Sequence, residues 1–375
     1  MKTVGIITIH KINNYGSVLQ AYALQRICES FGYKVKIIDY NFPNDYHKEN
    51  RYSTIEDKVA SEPVWIKLLF SFALIKQHRN IRNFINRHQC LTAEQYSHPD
   101  ELFNNPPAYD IYITGSDQVW NPRYCNGDPS FLLHFAPDNA KRISYAASIG
   151  TDHIPAELTD MFKALMDRYD AISVREESGK TMIADQFGID VSTVLDPTLL
   201  LSSDEWNEIA VPERVIRNKY ILCYFLNYSF DAFPYVDDFA EYIHKETGYD
   251  IVRVARPPHK LKFSHTHYCI DASPEEFLAL VRDAEIVLTT SFHGTAFAVN
   301  YGKPVFTVVN AGFNNSDSRQ SWLMKSLGLE SQIVALNDPF PSTDRFYYNV
   351  VKAQEILANL KERSKSFLTT ALKNV

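Results

Sequence analysis

Five times in this chain a helical pattern ends in a glycine and a short apolar run follows. The places are Gly32 (SFGYKVKII), Gly188 (QFGIDVSTV), Gly248 (ETGYDIVRV), Gly302 (NYGKPVFTV) and Gly328 (SLGLESQIV). Glycine suits the position after a helix because it takes positive φ without a Cβ penalty. A recurring helix–glycine–strand order means alternating elements, and alternation implies largely parallel sheets covered by helices. The expected fold class is α/β.

Strands rich in Val and Ile are expected at Val4–Ile9, Val35–Asp39, Ile111–Thr114, Ile143–Ala146, Ala171–Val174 and Val191–Leu195. Val18, Ala21, Leu24, Cys28 and Phe31 form a stripe at helical spacing between the first two. The scheme resumes with Tyr220–Phe225, Ile251–Val254, Ile286–Thr289 and Val305–Val308. Between Leu200 and Lys219 the pattern is broken by Ser202-Ser203-Asp204 and Pro212, which marks a domain boundary. The expected architecture is two doubly wound, Rossmann-like domains, 1–205 and 206–348, facing each other across a cleft. A long helix, Val350 to Leu372 within 349–375, would pack back across the boundary. Residues 41–105 fit the alternation poorly and are expected to be a helical insertion.

Within that insertion, Pro63 to Ala93 holds no Asp or Glu but carries Lys67, Lys76, Arg79, Arg82 and Arg87. Its apolar core, Val64 to Ile75, is broken only by Lys67 and Ser71. Such a segment suits peripheral contact with an anionic membrane. It suits equally a helical hairpin covering one edge of a sheet.

Composition narrows the functional classes. Lys and Arg number 38 against 45 Asp and Glu, a net charge of −7 that disfavours nucleic acid as a partner. The five cysteines, Cys28, Cys90, Cys125, Cys223 and Cys269, are odd in number, scattered and without a CxxC pair. Reduced thiols in a cytoplasmic protein fit them better than a disulfide framework. The run Val4–Ile9 is too short for a signal-peptide core, and no apolar stretch is long enough to span a membrane.

In open α/β sheets, ligands collect beyond the carboxyl ends of the strands. After the first strand comes His10-Lys-Ile-Asn-Asn14-Tyr-Gly16-Ser17. Asn13, Asn14 and Ser17 can cap the next helix, and Gly16 allows close backbone approach, so the loop is either a cap or a site for an anion or sugar. After the third comes Thr114-Gly-Ser-Asp117-Gln118-Val-Trp120-Asn-Pro122. Asp117 and Gln118 can accept hydroxyls and Trp120 can stack a sugar ring. Asp117 can also serve as a general base, or with Ser116 merely cap a turn. Arg175 ends the fifth strand, where a guanidinium can fork onto a carboxylate or phosphate, or pair with Glu176, Glu177 or Asp196. Asp196-Pro197 closes the loop after the sixth strand, and Asp196 reads mainly as structural or as support for a neighbouring site residue.

The most informative junction is Thr290-Ser291-Phe292-His293-Gly294-Thr295. A buried strand ends at Thr290, a loop covers Ser291 to Gly294, and a helix is expected from Thr295. A histidine at a helix N-terminus, where amides and dipole attract anions, suits general-acid work. His265-x-His267-x-Cys269 has metal-like spacing, but no fourth ligand is near and the segment reads as loop, so no metal is expected. G-x-x-x-x-G-K-[ST], G-x-G-x-x-G and G-x-S-x-G are all absent. That weakens P-loop, dinucleotide and serine-hydrolase readings.

Taken together, these junctions resemble the polysaccharide pyruvyl transferase family. The matching pieces are Gly5-Ile-Ile-Thr8, Asn14-Tyr-Gly-Ser-Val-Leu-Gln-Ala-Tyr-Ala-Leu-Gln25, Thr114 to Pro122, Ser173-Val-Arg-Glu176, Leu195-Asp-Pro197 and Ser291-Phe-His-Gly294. The resemblance implies a fold like that of the two-domain GT-B glycosyltransferases, with the first domain on the acceptor side and the second on the donor side. It implies transfer of a pyruvyl group from phosphoenolpyruvate to a sugar, usually as a ketal across two hydroxyls. His293 matches the family's catalytic histidine and would be the acid. Arg175 matches a donor-binding arginine. Amides around Phe292–Gly294 would complete the anion site.

One position departs from the family. Relatives often carry Arg two residues before the histidine, and here Ser291 stands there. Arg319, after Asn314-Asn-Ser-Asp-Ser, is the expected substitute in the donor grip. His10, Asn14, Gly16, Gln118 and Trp120 are the expected acceptor residues, with a sugar or lipid-linked oligosaccharide as acceptor. No cofactor is expected beyond phosphoenolpyruvate as donor substrate. The rival readings are a nucleotide-sugar glycosyltransferase and a non-catalytic glycan-binding protein. The expected location is cytoplasmic, or peripheral at the inner face of the membrane.

Overall fold

A computed structural model describes residues 1–48, 64–226, 230–258, 260–262, 264–310 and 319–373. Residues 49–63 of the expected insertion, and 314–318 before Arg319, lie outside the described residues.

Two all-parallel sheets organise the chain. The first contains β1 (Thr3–Ile7), β2 (Lys34–Tyr40), β3 (Leu91–Tyr96), β4 (Ile111–Thr114), β5 (Lys141–Ala147), β6 (Ala171–Val174) and β7 (Ser192–Thr193). Its spatial order is β3-β2-β1-β4-β5-β6-β7. The second contains β8 (Tyr220–Tyr224), β9 (Asp250–Val254), β10 (Thr266–Cys269), β11 (Ile286–Thr289), β12 (Val305–Val309) and β13 (Ile333–Ala335), in the order β10-β9-β8-β11-β12-β13. Strand order reverses between β1 and β4 and again between β8 and β11. These are the switch points where diverging loops open a crevice beyond the carboxyl ends.

The glycine punctuation works as its chemistry requires. Gly32, Gly188, Gly248, Gly302 and Gly328 all have φ between 63° and 86°, and each precedes a strand. Two strands escape the sequence reading, β3 and β10, and β13 shows there only as the run after Gly328. The expected helical insertion therefore contains a strand, and the His265–Cys269 segment is an edge strand from Thr266 rather than a loop.

The helices that matter for the site are α1 (Tyr15–Ser30), α2 (Val64–Leu69), α3 (Ser71–His88), α4 (Glu177–Phe187), α5 (Pro197–Leu200), α6 (Pro274–Asp283), α7 (Phe292–Asn300), α8 (Arg319–Ser326) and α9 (Val350–Lys373). Every residue of α7 is buried, as are 13 residues of α1. A helix apolar all round must be enclosed on all sides. Both lie in the layer shared by the two sheets, where one apolar cluster runs from Val4 and Ile6 through Val18 and Phe297 to Leu222 and Val287. The outer faces of the two sheets carry separate clusters.

The insertion does not simply cover a sheet edge. Helix α3 lies on α1 and reaches α6 of the other half. Gln77 Nε2 donates to Ala255 O at 2.9 Å and Asn80 Nδ2 to Asp271 O at 2.8 Å. Helix α9 spans both halves. Lys361 Nζ donates to Asn300 Oδ1 at 2.8 Å, and Ser364 Oγ accepts from Leu195 N–H at 3.0 Å.

Candidate active site

The two switch points meet through the first turns of α1 and α7. Asn14 caps α1, its Oδ1 accepting the Gly16 N–H at 2.9 Å. Tyr15 fixes that turn to the second half: its hydroxyl donates to Ala272 O at 2.6 Å and its ring stacks on Phe277 at 4.7 Å. Ser291 caps α7 by accepting the Gly294 N–H at 3.3 Å. The helix thus starts at Phe292, not at Thr295 as the sequence suggests, because Ser291 completes the first turn. Of the N–H groups that a helix start leaves without helical partners, that of Gly294 is taken up by this cap.

Gly16 and His293 touch. A Cβ on Gly16 would overlap the His293 ring. Gly→Ala inside a helix ordinarily stabilises by about 1 kcal/mol. Here the sign should reverse, with Gly16→Ala lowering stability by about 1–3 kcal/mol as the packed ring is forced aside. Urea unfolding of the two proteins checks this, and a stabilised variant would contradict the contact.

Around His293 lies a buried ionic cluster. Arg175, at the end of β6, is 1% exposed. Its Nη1 donates to Asp196 Oδ2 at 2.8 Å, and Nη2 lies 3.5 Å from Asp117 Oδ1. Its guanidinium carbon sits 4.4 Å from the centroid of the Phe292 ring, a cation–π contact. Among the described residues Arg175 Nε and Nη2 have no hydrogen-bond partner. Asp196 caps α5, taking the Thr198 N–H at 3.0 Å and hydroxyl at 2.7 Å. The Ser116 hydroxyl reaches Asp196 Oδ2 at 2.9 Å. His293 Nε2 stands 3.8 Å from the same oxygen, an ion-pair spacing too long for a hydrogen bond. That nitrogen is buried without a hydrogen-bond partner among the described residues.

Asp117 sits in the left-handed region at φ 69°, which Asp tolerates better than most residues. The turn aims its Oδ2 at the Ser17 hydroxyl, 2.6 Å away. Arg319 begins α8, partly buried, in the field of Arg175, Glu176 and Asp117.

The charges are tuned against one another. Burial acts to raise both Asp196 and Asp117, but the groups around them outweigh it and hold both carboxyls below the usual range. For Asp196 these are His293, Arg175 and Thr198; for Asp117 they are Arg175, His293 and the Ser17 hydroxyl. Burial would lower Arg175, yet Asp196, Asp117 and Glu176 push it up. Arg319 is lowered by burial and then by Arg175. The arrangement can present a ring nitrogen and unused guanidinium N–H groups to an anion without leaving a naked cation in the core.

Of the expected site residues, Asn14, Gly16, Asp117, Arg175, Ser291, Phe292, His293, Gly294 and Arg319 belong to this region. His10 does not: its Nε2 faces Asp39 at 3.4 Å, on the β2 side. Gln118 is engaged with Asn121 Nδ2 at 2.8 Å. Trp120 is a correction. It is 1% exposed, its indole N–H donates to Phe131 O at 2.9 Å, and Tyr169 meets it edge-on. No ring face remains for a sugar, because the chain leaving the Asp117 turn directs Trp120 into the outer core.

Ser17, Ser116 and Asp196 also belong to this region; the sequence offers Asp196 as a partner of Arg175, whereas Ser17 and Ser116 show there only as caps. His265, just before β10, pairs with Glu241 at 3.1 Å, and His267 on β10 pairs with Asp250 at 2.9 Å.

Solved structures share this architecture at low identity. A UDP complex of S. aureus MnaA has a TM-score of 0.52 and 10% identity, covering 98% of this chain and 91% of that one. The UDP-GlcNAc 2-epimerase of Methanocaldococcus jannaschii has a TM-score of 0.51 and 14% identity, covering 96% and 93%. The calicheamicin glycosyltransferase CalG4 has a TM-score of 0.50 and 14% identity, covering 100% and 99%. At such identities they establish the fold, a GT-B-like pair of Rossmann-like domains, and nothing about chemistry. No curated relative matches the chain. The model of one family, polysaccharide pyruvyl transferase, matches residues 14–312. That span begins at the Asn14 cap and takes in Asp117, Arg175, Asp196 and His293, and on this match the chain belongs to the polysaccharide pyruvyl transferase family.

Proposed function

We propose that this protein moves a pyruvyl group from phosphoenolpyruvate to a sugar of a cell-surface polysaccharide or its lipid-linked precursor. The observation that carries this reading is the meeting of His293 with Arg175, Asp196 and Asp117 where the two switch points join.

The chemistry assigns each group a task. His293 gives a proton to the methylene carbon of the enol, and positive charge develops at the adjacent carbon. A sugar hydroxyl attacks there, and its proton replaces the one His293 gave up. The attack of a second hydroxyl breaks the carbon–oxygen bond to phosphate. Phosphate departs with that hydroxyl's proton, and the ketal remains. Arg175 and the first-turn amides of α7 hold the donor's anionic groups, with Arg319 in the place of the arginine that Ser291 lacks. Asp117, kept ionised, accepts a hydrogen bond from the attacking hydroxyl. Asn14 and Gln118 stand at the acceptor side.

A thermal-shift comparison of phosphoenolpyruvate with UDP-N-acetylglucosamine tests the donor. At a concentration about 100-fold above its dissociation constant the true donor stabilises by roughly 2.7 kcal/mol, a rise of a few degrees. Phosphoenolpyruvate should produce that rise, and phosphate release should require an added acceptor. Stabilisation by the nucleotide sugar alone would replace this reading with glycosyl transfer.

A further inference from the structure

Helices α2 and α3 carry a face that the transfer chemistry does not use. Val64, Trp65, Leu68, Leu69, Phe72 and Ile75 are 57–85% exposed. Single exposed apolar residues are ordinary, but six on adjoining helices make a patch. The opposite face of α3, with Gln77, Ile81, Phe84 and Ile85, is buried, so the hairpin's orientation is set from within. Phe72, Ile75, Arg79 and Arg82 follow at i, i+3, i+7 and i+10 and share one helix face. That face passes from apolar to cationic along its length.

Charge says what covers it. The chain carries −7 overall, yet Pro63 to Ala93 contains no acidic residue. Lys76 and Arg87 are tied to Asp271 and Glu275 of the second half, which leaves Arg79 and Arg82 exposed on the outer face. An apolar patch beside basic residues on an otherwise acidic protein complements a surface that is oily within and anionic at its rim.

We infer that α2 and α3 as far as Arg82 dock on a lipid bilayer that contains anionic lipid. The apolar side chains enter the acyl boundary while Arg79 and Arg82 meet the headgroups. Neither contribution alone anchors a protein well, and the two together do. Among the described residues no helix is long and apolar enough to cross a membrane, so the contact is one of a surface. The same helices supply Lys67, Leu74 and Gln77 to a cavity of about 220 Å³ that also includes Asn14, Tyr224 and Arg256. Docking would therefore hold the cleft beside the bilayer, within reach of a lipid-carried acceptor. That last consequence rests on the proposed transferase reading; the docking itself does not.

The test is vesicle flotation of the full chain on phosphatidylcholine vesicles with and without phosphatidylglycerol, in the absence of any donor or acceptor. The wild type should float with the anionic vesicles and less with the neutral ones. Leu68→Glu/Phe72→Glu should lose flotation on both. Arg79→Glu/Arg82→Glu should bind anionic vesicles at least about tenfold more weakly and leave neutral-vesicle binding unchanged. Val351→Glu, which removes another exposed apolar side chain, should float like the wild type. Melting curves establish that each variant is folded. A wild type that stays at the bottom of the gradient, or double variants that float equally well, would overturn the proposal. So would a lipid-free dimer that Leu68→Glu/Phe72→Glu dissociates, since the face would then belong to a second copy. Because no substrate is present, failure here and failure of pyruvyl transfer are separate results.

Discussion

His293→Ala is expected to lower the rate of pyruvyl transfer by about 10²–10⁴-fold, the range set by loss of a positioned general acid. The protein should remain folded. His293 makes no hydrogen bond through Nε2 among the described residues, and the carboxylate it faces, Asp196, keeps Arg175, Thr198 and Ser116 when the ring is gone. The side chain fills space against Gly16, so some stability is lost with it. His293→Gln retains more of that volume and still cannot act as the acid. It should therefore be as inactive as His293→Ala and melt closer to the wild type. Transfer assays with excess donor, beside melting curves, separate the two effects. Either variant turning over at the wild-type rate would end the assignment of His293.

The second large effect lies at Asp196. This carboxylate receives Arg175, the Thr198 N–H and hydroxyl, and the Ser116 hydroxyl, and it faces His293. Asp196→Ala leaves the buried Arg175 without its nearest counter-charge, for which a loss of about 3–5 kcal/mol is expected at neutral pH. Asp117 and Glu176 soften the loss without replacing the bond, at 3.5 and 4.0 Å from the guanidinium.

The pH dependence follows from the direction of the shift. The folded carboxyl lies below its ordinary value of 3.8, so its contribution is fully present above that pH. As pH falls below 3.8 the unfolded chain takes up the proton first, and the contribution shrinks toward the folded value. Wild-type stability should fall over that acid range more steeply than that of Asp196→Ala. Urea unfolding at neutral pH and at stepwise lower pH measures both quantities. Parallel acid profiles for the two proteins would show that Asp196 is not held as described.

Much of the architecture is legible because it is local. A glycine after a helix and a run of Val and Ile declare themselves within ten residues, and ten of the described strands follow from such runs. The two missed strands, β3 and β10, are both sheet edges, as is β13, which shows only as the run after Gly328. An edge strand is covered on fewer sides, so it needs no continuous apolar run. LTAEQY at β3 and THYC at β10 look like loop for that reason.

The site divides the same way. That chemistry collects at the carboxyl ends, near Asn14, Asp117, Arg175 and His293, could be read from loop residues placed after strands. Which of those residues meet could not. Trp120 and His10 stand in the same loops as true neighbours of the site, yet one turns into the core for its indole bond and the other toward Asp39.

The sequence by itself determined the α/β order, the two-domain division and the loops where a ligand would be met, because backbone conformation and apolar periodicity depend on near neighbours. Only the tertiary structure decided that Gly16 lies against His293 and that Asp196 holds Arg175. Those contacts join residues up to 277 positions apart. The first exists because α7, buried at every residue, and α1, buried along most of its length, pack into one layer. Packing of that kind is a property of the assembled layers and of no segment alone.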